Sequence, residues 1–197
     1  MGVEKLIEAY KAGDQGAADQ LVDLVQDKLF QFCIYLSGDR HLAEDLCHDA
    51  LIRALTSIDQ LQNADVFLAW VKKIARNLFL DFKKAAAQSK VHVTAEDSIE
   101  VEQLEGVGLS DDQLDAAKTL QKMSEADRTL LILIEVQGLS YQEAAEVLET
   151  KEGTIKSRLS RAKQKFVEIY GTISQDESSS SQAGSAAKKS KEDKSVS

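Results

Sequence analysis

The residues able to do chemistry in this sequence are mostly cations set at helical spacing. Between Gly153 and Tyr170 stand five positive side chains, Lys156, Arg158, Arg161, Lys163 and Lys165, against the single acid Glu168. Ile155, Leu159, Ala162 and Phe166 fall within an arc of about 60° at 100° per residue, which gives the segment one buried face. Ser157, Arg161 and Gln164 lie opposite that face, with Thr154, Arg158 and Lys165 on the flank. Arg and Lys hold phosphate and read guanine edges, and Ser or Thr makes small polar contacts. A second group, Lys72, Lys73, Arg76, Asn77, Lys83 and Lys84, follows the aromatic pair Phe67 and Trp70. Positive charge beside a place for an unstacked base is how single strands are gripped, and Asn suits a base edge. Phe67 and Trp70 themselves read as core. A third group, His41, Glu44, Cys47 and His48, has zinc-ligand chemistry on one predicted helix. Neither Cys33 nor Cys47 belongs to a Cys-x-x-Cys pair, so the expectation is a helix with no metal; no cofactor is called for.

The elements that must position these groups are helices. Proline is absent, aromatics make up 6% of the chain, and apolar residues recur at intervals of three and four. The sequence predicts helices over Val3–Ala12, Gln15–Leu36, Leu42–Ile58 and Val66–Ala87, enough to close one small bundle. Ser37-Gly38-Asp39 is a turn, and Asp59–Asp65 is a polar break. Further helices are expected over Gln113–Met123 and Ser124–Gln137, followed by a shorter pair. Ser140 with Glu143 is a capping box opening the first of that pair. Glu149-Thr150-Lys151 is the turn, with Thr150 placed to cap the second. Two helices joined by a tight turn, the second with a basic outer face, form a helix-turn-helix that can lay one helix in the major groove of DNA.

The fold class is therefore all-α, with two small helical domains. The net charge of −9 hides their character: the eight acids between Val91 and Ala117, where no Lys or Arg stands, supply nearly all of it. What remains is two basic patches joined by an acidic segment. The expected division is 1–87 for the first domain, 88–112 for a flexible acidic linker, 113–171 for the second domain and 172–197 for a disordered Ser/Lys tail. Two cysteines in 197 residues make no disulfide framework and fit a reducing, cytoplasmic setting. The longest apolar run, Leu130–Ile134, is far short of the roughly 20 residues of a membrane span, so neither membrane insertion nor export is expected.

Both halves, in this order, resemble the extracytoplasmic-function (ECF) sigma factors of bacterial RNA polymerase. The first half resembles sigma region 2 through Ser37–Leu46, Phe67-Leu-Ala-Trp70, and Ile74–Leu78 with Asp81. The second resembles region 4 through Gly138–Ala145 and Gly153–Ala162. The resemblance spans about residues 5 to 170 and implies a promoter-specificity subunit that partners core RNA polymerase and promoter DNA, duplex and melted. It implies that Asn77 helps read the −10 element and that the loop Asp59–Asp65, Asn63 within it, captures a flipped base. Flipping costs a few kcal/mol, least at weakly stacked steps, so it selects sequence while opening the duplex. The helix bearing Glu44, Asp45, Asp49 and Arg53 corresponds to the surface that docks on the polymerase clamp. Lys156, Ser157, Arg158 and Arg161 fall where the family contacts the −35 element, and the acidic segment where it threads the polymerase channel. An anti-sigma factor is implied as a further partner. The chain departs from the family at His48 and Leu51, where relatives carry Gln and a bulky aromatic. It also lacks the prolines common near Ser124 and at Lys151.

Two rival classes are weighed against this reading. An enzyme would need a nucleophile elbow, a phosphate-cradling glycine loop or a carboxylate pair, and the sequence has none, so the chain is not expected to be an enzyme. A stand-alone helix-turn-helix regulator would bind duplex DNA tightly without polymerase, and would not need the first half.

Overall fold

The computed structural model describes residues 2–88, 104 and 107–192, with side chains described through Ile173. Its helices are α1 (Val3–Lys11), α2 (Gln15–Ser37), α3 (Arg40–Thr56), α4 (Phe67–Gln88), α5 (Asp111–Gln121), α6 (Glu125–Leu131), α7 (Tyr141–Val147) and α8 (Glu152–Glu192). Among the described residues there is no strand, and no helix is long and apolar enough to cross a membrane.

In the first half α2 is the central strut. Leu21, Val25, Leu29, Phe32, Ile34 and Leu36 are buried along it, and α1, α3 and α4 pack around it. Each fully buried side chain of this kind contributes roughly 1.5–3 kcal/mol through water released from its surface. The ends are chemically marked. Asp14 accepts from the Gly16 N–H at 2.9 Å to start α2, and Gly38, in the left-handed region at φ 72°, ends it with its N–H on the Ile34 carbonyl. Asp39 accepts from the Leu42 N–H at 2.7 Å, so α3 begins at Arg40, two residues before the apolar pattern alone suggests. That helix stops at Thr56, and the polar break holds two short 3-10 turns, Ile58–Gln60 and Ala64–Val66.

The second half is built around Leu130, Ile132, Leu133, Val147, Ile155, Leu159 and Ala162, all buried. Ser110 and Gln113 form a capping box on α5, and Ser124 caps α6. After α6 the backbone widens into a single π turn, Ile132–Val136, whose closing bond runs from the Gln137 N–H to the Ile132 carbonyl. Gly138, at φ 68°, then makes the corner into α7.

Three observations add to the sequence reading. Leu104, within the segment read as linker, is buried, with Val107 and Leu109 packed nearby against the core; most of the acidic run around it lies outside the described residues. The region read as a disordered tail continues α8 as helix to Glu192, and Ile173 is buried. Finally, the two halves pack on each other, α7 against α4 and α5 and α6 against α2.

Candidate nucleic-acid interface

The helix-turn-helix is α7, a turn and α8. Ser140 Oγ accepts from the Glu143 N–H at 3.2 Å, and Glu143 Oε2 accepts from the Ser140 N–H at 2.8 Å, completing the capping box. Hydrogen bonds from Ser140 hold the Glu143 carboxyl below its usual range, with a smaller contribution from Lys72. The turn is tight because Glu149 takes a left-handed conformation, φ 53°, and the Thr150 N–H reaches back to the Ala145 carbonyl. Helix α8 begins at Glu152, so Lys151, not the expected Thr150, stands immediately before it.

Ile155, Leu159 and Ala162 anchor α8 to the core, as their spacing requires, and the opposite side faces outward. Thr154, Lys156, Ser157 and Arg161 are exposed and Arg158 is half-buried. Ser157 Oγ donates to the Thr154 carbonyl at 3.1 Å, leaving its lone pairs toward solvent. Lys165 is exposed but already engaged, its Nζ 2.7 Å from Asp127 Oδ2 on α6. Burial pushes the Asp127 carboxyl up, and hydrogen bonds from Lys165 and Ser124 outweigh it and hold the carboxyl below its usual range.

The second basic group divides. Asn77, Lys83 and Lys84 are exposed on α4, and Asn63 is exposed in the polar loop, where its Oδ1 accepts from the Asp65 N–H. Trp70 is half-buried beside Phe67 and lines a cleft of about 710 Å³ together with Asn63, Lys73 and residues of α7 and the following turn. Lys73, Arg76 and Lys72 face the second half instead. Lys73 Nζ is 3.0 Å from Glu149 Oε1, and Arg76 Nε is 3.3 Å from Glu125 Oε1 without hydrogen-bond alignment. Lys72 is wholly buried and its Nζ has no hydrogen-bond partner. Burial pulls its pKa down from 10.5 to about 8, helped by Lys28 of α2 and opposed by Glu143 of α7.

On α3, Glu44, Asp45, Asp49 and Arg53 are all exposed, with Glu44 paired to Arg40 at 2.9 Å. Ile52, half exposed among these charges, was not singled out by the sequence pattern. Of the metal-type group, His41 is 92% exposed at its side chain, and burial pushes the Cys47 thiol up to about 11 and the Cys33 thiol further. Among the described residues no three His, Cys, Asp or Glu side chains converge.

Comparison with known proteins bears directly on these two basic helices. Residues 21–88 match the family model for sigma-70 region 2, and residues 113–166 match that for sigma-70 region 4. The ECF RNA polymerase sigma factor SigW of Bacillus subtilis is 31% identical over 176 residues, covering 83% of this chain and 94% of that one. The chain belongs to the ECF sigma factors. EcfG of Rhodopseudomonas palustris is 35% identical, over 68% of this chain and 75% of its own. Among solved structures, the sigma factor RpoE of Bartonella quintana, crystallised with the anti-sigma factor NepR, is 31% identical with a TM-score of 0.63. That likeness covers 77% of this chain and 94% of RpoE.

ECF sigma factors direct RNA polymerase to promoters, and the basic faces of α4 and α8 now lie in regions 2 and 4 of this one. Sequence reasoning missed the residues that join those regions. Arg128 of α6 donates Nη1 to the Leu36 carbonyl at 2.7 Å and to Gln121 Oε1, and its other nitrogens to the carbonyls of Leu120, Gln121 and Met123. A guanidinium at the carbonyl end of α2 complements the helix dipole there. Gln121 Nε2 donates to the Tyr35 carbonyl at 2.7 Å, and Gln137 Nε2 to Gln31 Oε1 at 2.9 Å. Seen singly in the sequence, each is an ordinary polar helix residue, and no spacing signals the contact.

Proposed function

We propose that this sigma factor reads a −35 element with α8 and a −10 element with α4 and the loop before it. In this reading Thr154, Lys156, Ser157, Arg158, Arg161 and Lys165 contact the −35 duplex. Asn77 and Asn63 meet bases of the melted −10 strand, while Lys72, Lys73, Arg76, Lys83 and Lys84 hold its phosphates. The exposed face of α3, with Glu44, Asp45, Asp49 and Arg53 around Ile52, docks on core polymerase. The observation that carries the reading is a capped helix-turn-helix whose second helix turns a polar and basic face outward, in one chain with a second basic helix. Neither face alone requires the other; a subunit that binds duplex and then stabilises strand separation requires both.

The functional division follows as 1–87 for polymerase and −10 contacts, 88–112 as the acidic connection and 113–171 for −35 contacts. The chain supplies no catalytic group of its own and acts in the cytoplasm, where the polymerase carries out the chemistry. An anti-sigma factor holds it inactive; the crystallised relative bound to NepR supports that partner class. Fluorescence anisotropy of a promoter duplex, titrated with the chain, with core polymerase and with both, tests the reading. Only the mixture should bind tightly and with sequence preference. Tight binding by the chain alone would identify a stand-alone regulator instead.

A further inference from the structure

Helix α8 is held at both edges of its apolar stripe by a carboxylate from the segment it packs on. Lys165 Nζ is 2.7 Å from Asp127 Oδ2 on α6, and Lys163 Nζ is 2.8 Å from Glu135 Oε1 in the π turn that follows. At 100° per residue, Lys165 lies about 90° to one side of the stripe Ile155, Leu159, Ala162 and Phe166, and Lys163 about 70° to the other. The two pairs therefore grip α8 from opposite flanks, with Lys156, Ser157 and Arg161 on the open face between them. Asp127 is itself well fixed: its side chain is 16% exposed and its N–H donates to Ser124 Oγ at 3.3 Å. Arg158, two turns before Lys165 on the same flank, is its second charged neighbour.

We propose that Asp127 and Glu135 are positioning residues for −35 recognition, a two-sided brace that fixes the roll of α8 about its own axis. The inference rests on the assignment of α8 to the −35 element. With its side chains a helix is roughly 5–6 Å in radius, so a roll of about 20° carries a side-chain tip about 2 Å, enough to break a hydrogen bond to a base edge. Burial of an apolar stripe is non-directional and resists such a roll weakly. An ion pair at each edge resists it in both senses, since rolling either way draws one pair apart. Groups that read a ligand are held in this way by neighbours that do not touch it. Asp127 also leaves its partner usable: an ammonium has three donors, so Lys165 keeps others for a DNA phosphate while one is held. As bare charges, two acids beside a DNA-reading helix repel DNA, a cost that positioning accounts for.

The test uses holoenzyme assembled from the full chain and core polymerase, with two labelled duplexes. One is a promoter fragment that the holoenzyme transcribes, and the other is the same fragment with its upstream motif scrambled. The readout is the ratio of the two affinities at fixed salt. Loss of a charge acts on every duplex alike through the phosphates, so it shifts both affinities and leaves the ratio. A change of roll moves the side chains that meet base edges and lowers the ratio. E135Q and D127N should each lower it about threefold, and the double variant about tenfold. E168Q, at an exposed acid of α8 outside both pairs, should leave the ratio unchanged and raise both affinities by no more than about twofold. E135K should lower the ratio as E135Q does. E135K/K163E rebuilds the pair with its charges exchanged and should restore the ratio to within about twofold of the native chain. Glu135 and Lys163 are half exposed, so these variants stay folded and decide the test even where D127N does not fold. An unchanged ratio in E135Q and E135K, or a loss in E135K/K163E as large as that in E135K, overturns the brace. R161A separates this result from the reading beneath it: a ratio unchanged in R161A overturns the assignment of α8, and the brace with it.

Discussion

Replacing Lys72 with Met should stabilise the protein, although Lys72 lies in a segment whose function calls for positive charge. The side chain is wholly buried, its ammonium has no hydrogen-bond partner, and its pKa falls from 10.5 to about 8. Met has similar length, fills irregular space and needs no partner, so the cavity stays filled. A depression of that size corresponds to about 3 kcal/mol at roughly 1.4 kcal/mol per pKa step, an upper bound on the gain at pH 7. The sign is fixed by proton uptake. Below pH 8 lysine is charged in both states and the full penalty applies. Between pH 8 and 10.5 the unfolded chain holds the proton more than the native one, so stability rises with pH. By pH 9.5 the penalty should have fallen to about 1 kcal/mol. Buried Cys33, Cys47 and Tyr35, all with raised values, titrate in the opposite sense over part of this range. The quantity to measure is therefore the difference between native chain and K72M, from urea unfolding at pH 7 and pH 9.5, in which those groups cancel. K72M should be more stable at pH 7, with the gap narrowing by about 2 kcal/mol at the higher pH. A K72M chain less stable than the native one at pH 7, or a gap independent of pH, would refute the buried, unpartnered ammonium.

Three further outcomes follow. Arg161→Ala should weaken −35 duplex binding by holoenzyme by about 1–3 kcal/mol while leaving strand opening of bound promoter nearly intact. Asn77→Ala should do the reverse, and equal losses in filter binding and permanganate footprinting for both variants would count against the division of labour. Ser140→Ala removes both the cap of α7 and the hydroxyl partner of Glu143, so it should cost about 1 kcal/mol, or a drop of roughly 2–4 °C in Tm by circular dichroism. Arg128→Met should cost more, roughly 3–5 kcal/mol in urea unfolding, because it removes the side-chain donor of the Leu36, Gln121 and Met123 carbonyls together, the Leu120 carbonyl keeping the Met123 N–H; a loss under about 1 kcal/mol would show that these carbonyls are satisfied without it.

Much of the architecture is written in local chemistry. The apolar spacing of Leu21, Leu24, Val25, Leu29, Phe32 and Leu36 needs only the helix repeat to set them along α2, and all are in the core except Leu24, which is half exposed. The Ser140–Glu143 box and the outward face of Ser157 and Arg161 are likewise properties of a few consecutive turns. Three features were not legible because they depend on what lies across from a residue. Lys72 belongs to a basic run that reads as exposed, and only the approach of α2 and α7 buries it. Glu125 and Glu149 look like solvated helix acids until Arg76 and Lys73 are brought to them. Leu104 is a lone apolar residue in an acidic run, with no periodicity to announce its burial.

Reconstituted transcription tests the central claim most directly: purified chain, core polymerase and a library of promoter fragments, with the 5′ ends of the transcripts sequenced. The account predicts start sites that depend on the added chain and share two upstream motifs at a fixed spacing, one lost with Arg161→Ala and the other with Asn77→Ala. Transcripts that appear equally without the chain, or none at all beside tight duplex binding by the chain alone, would contradict it.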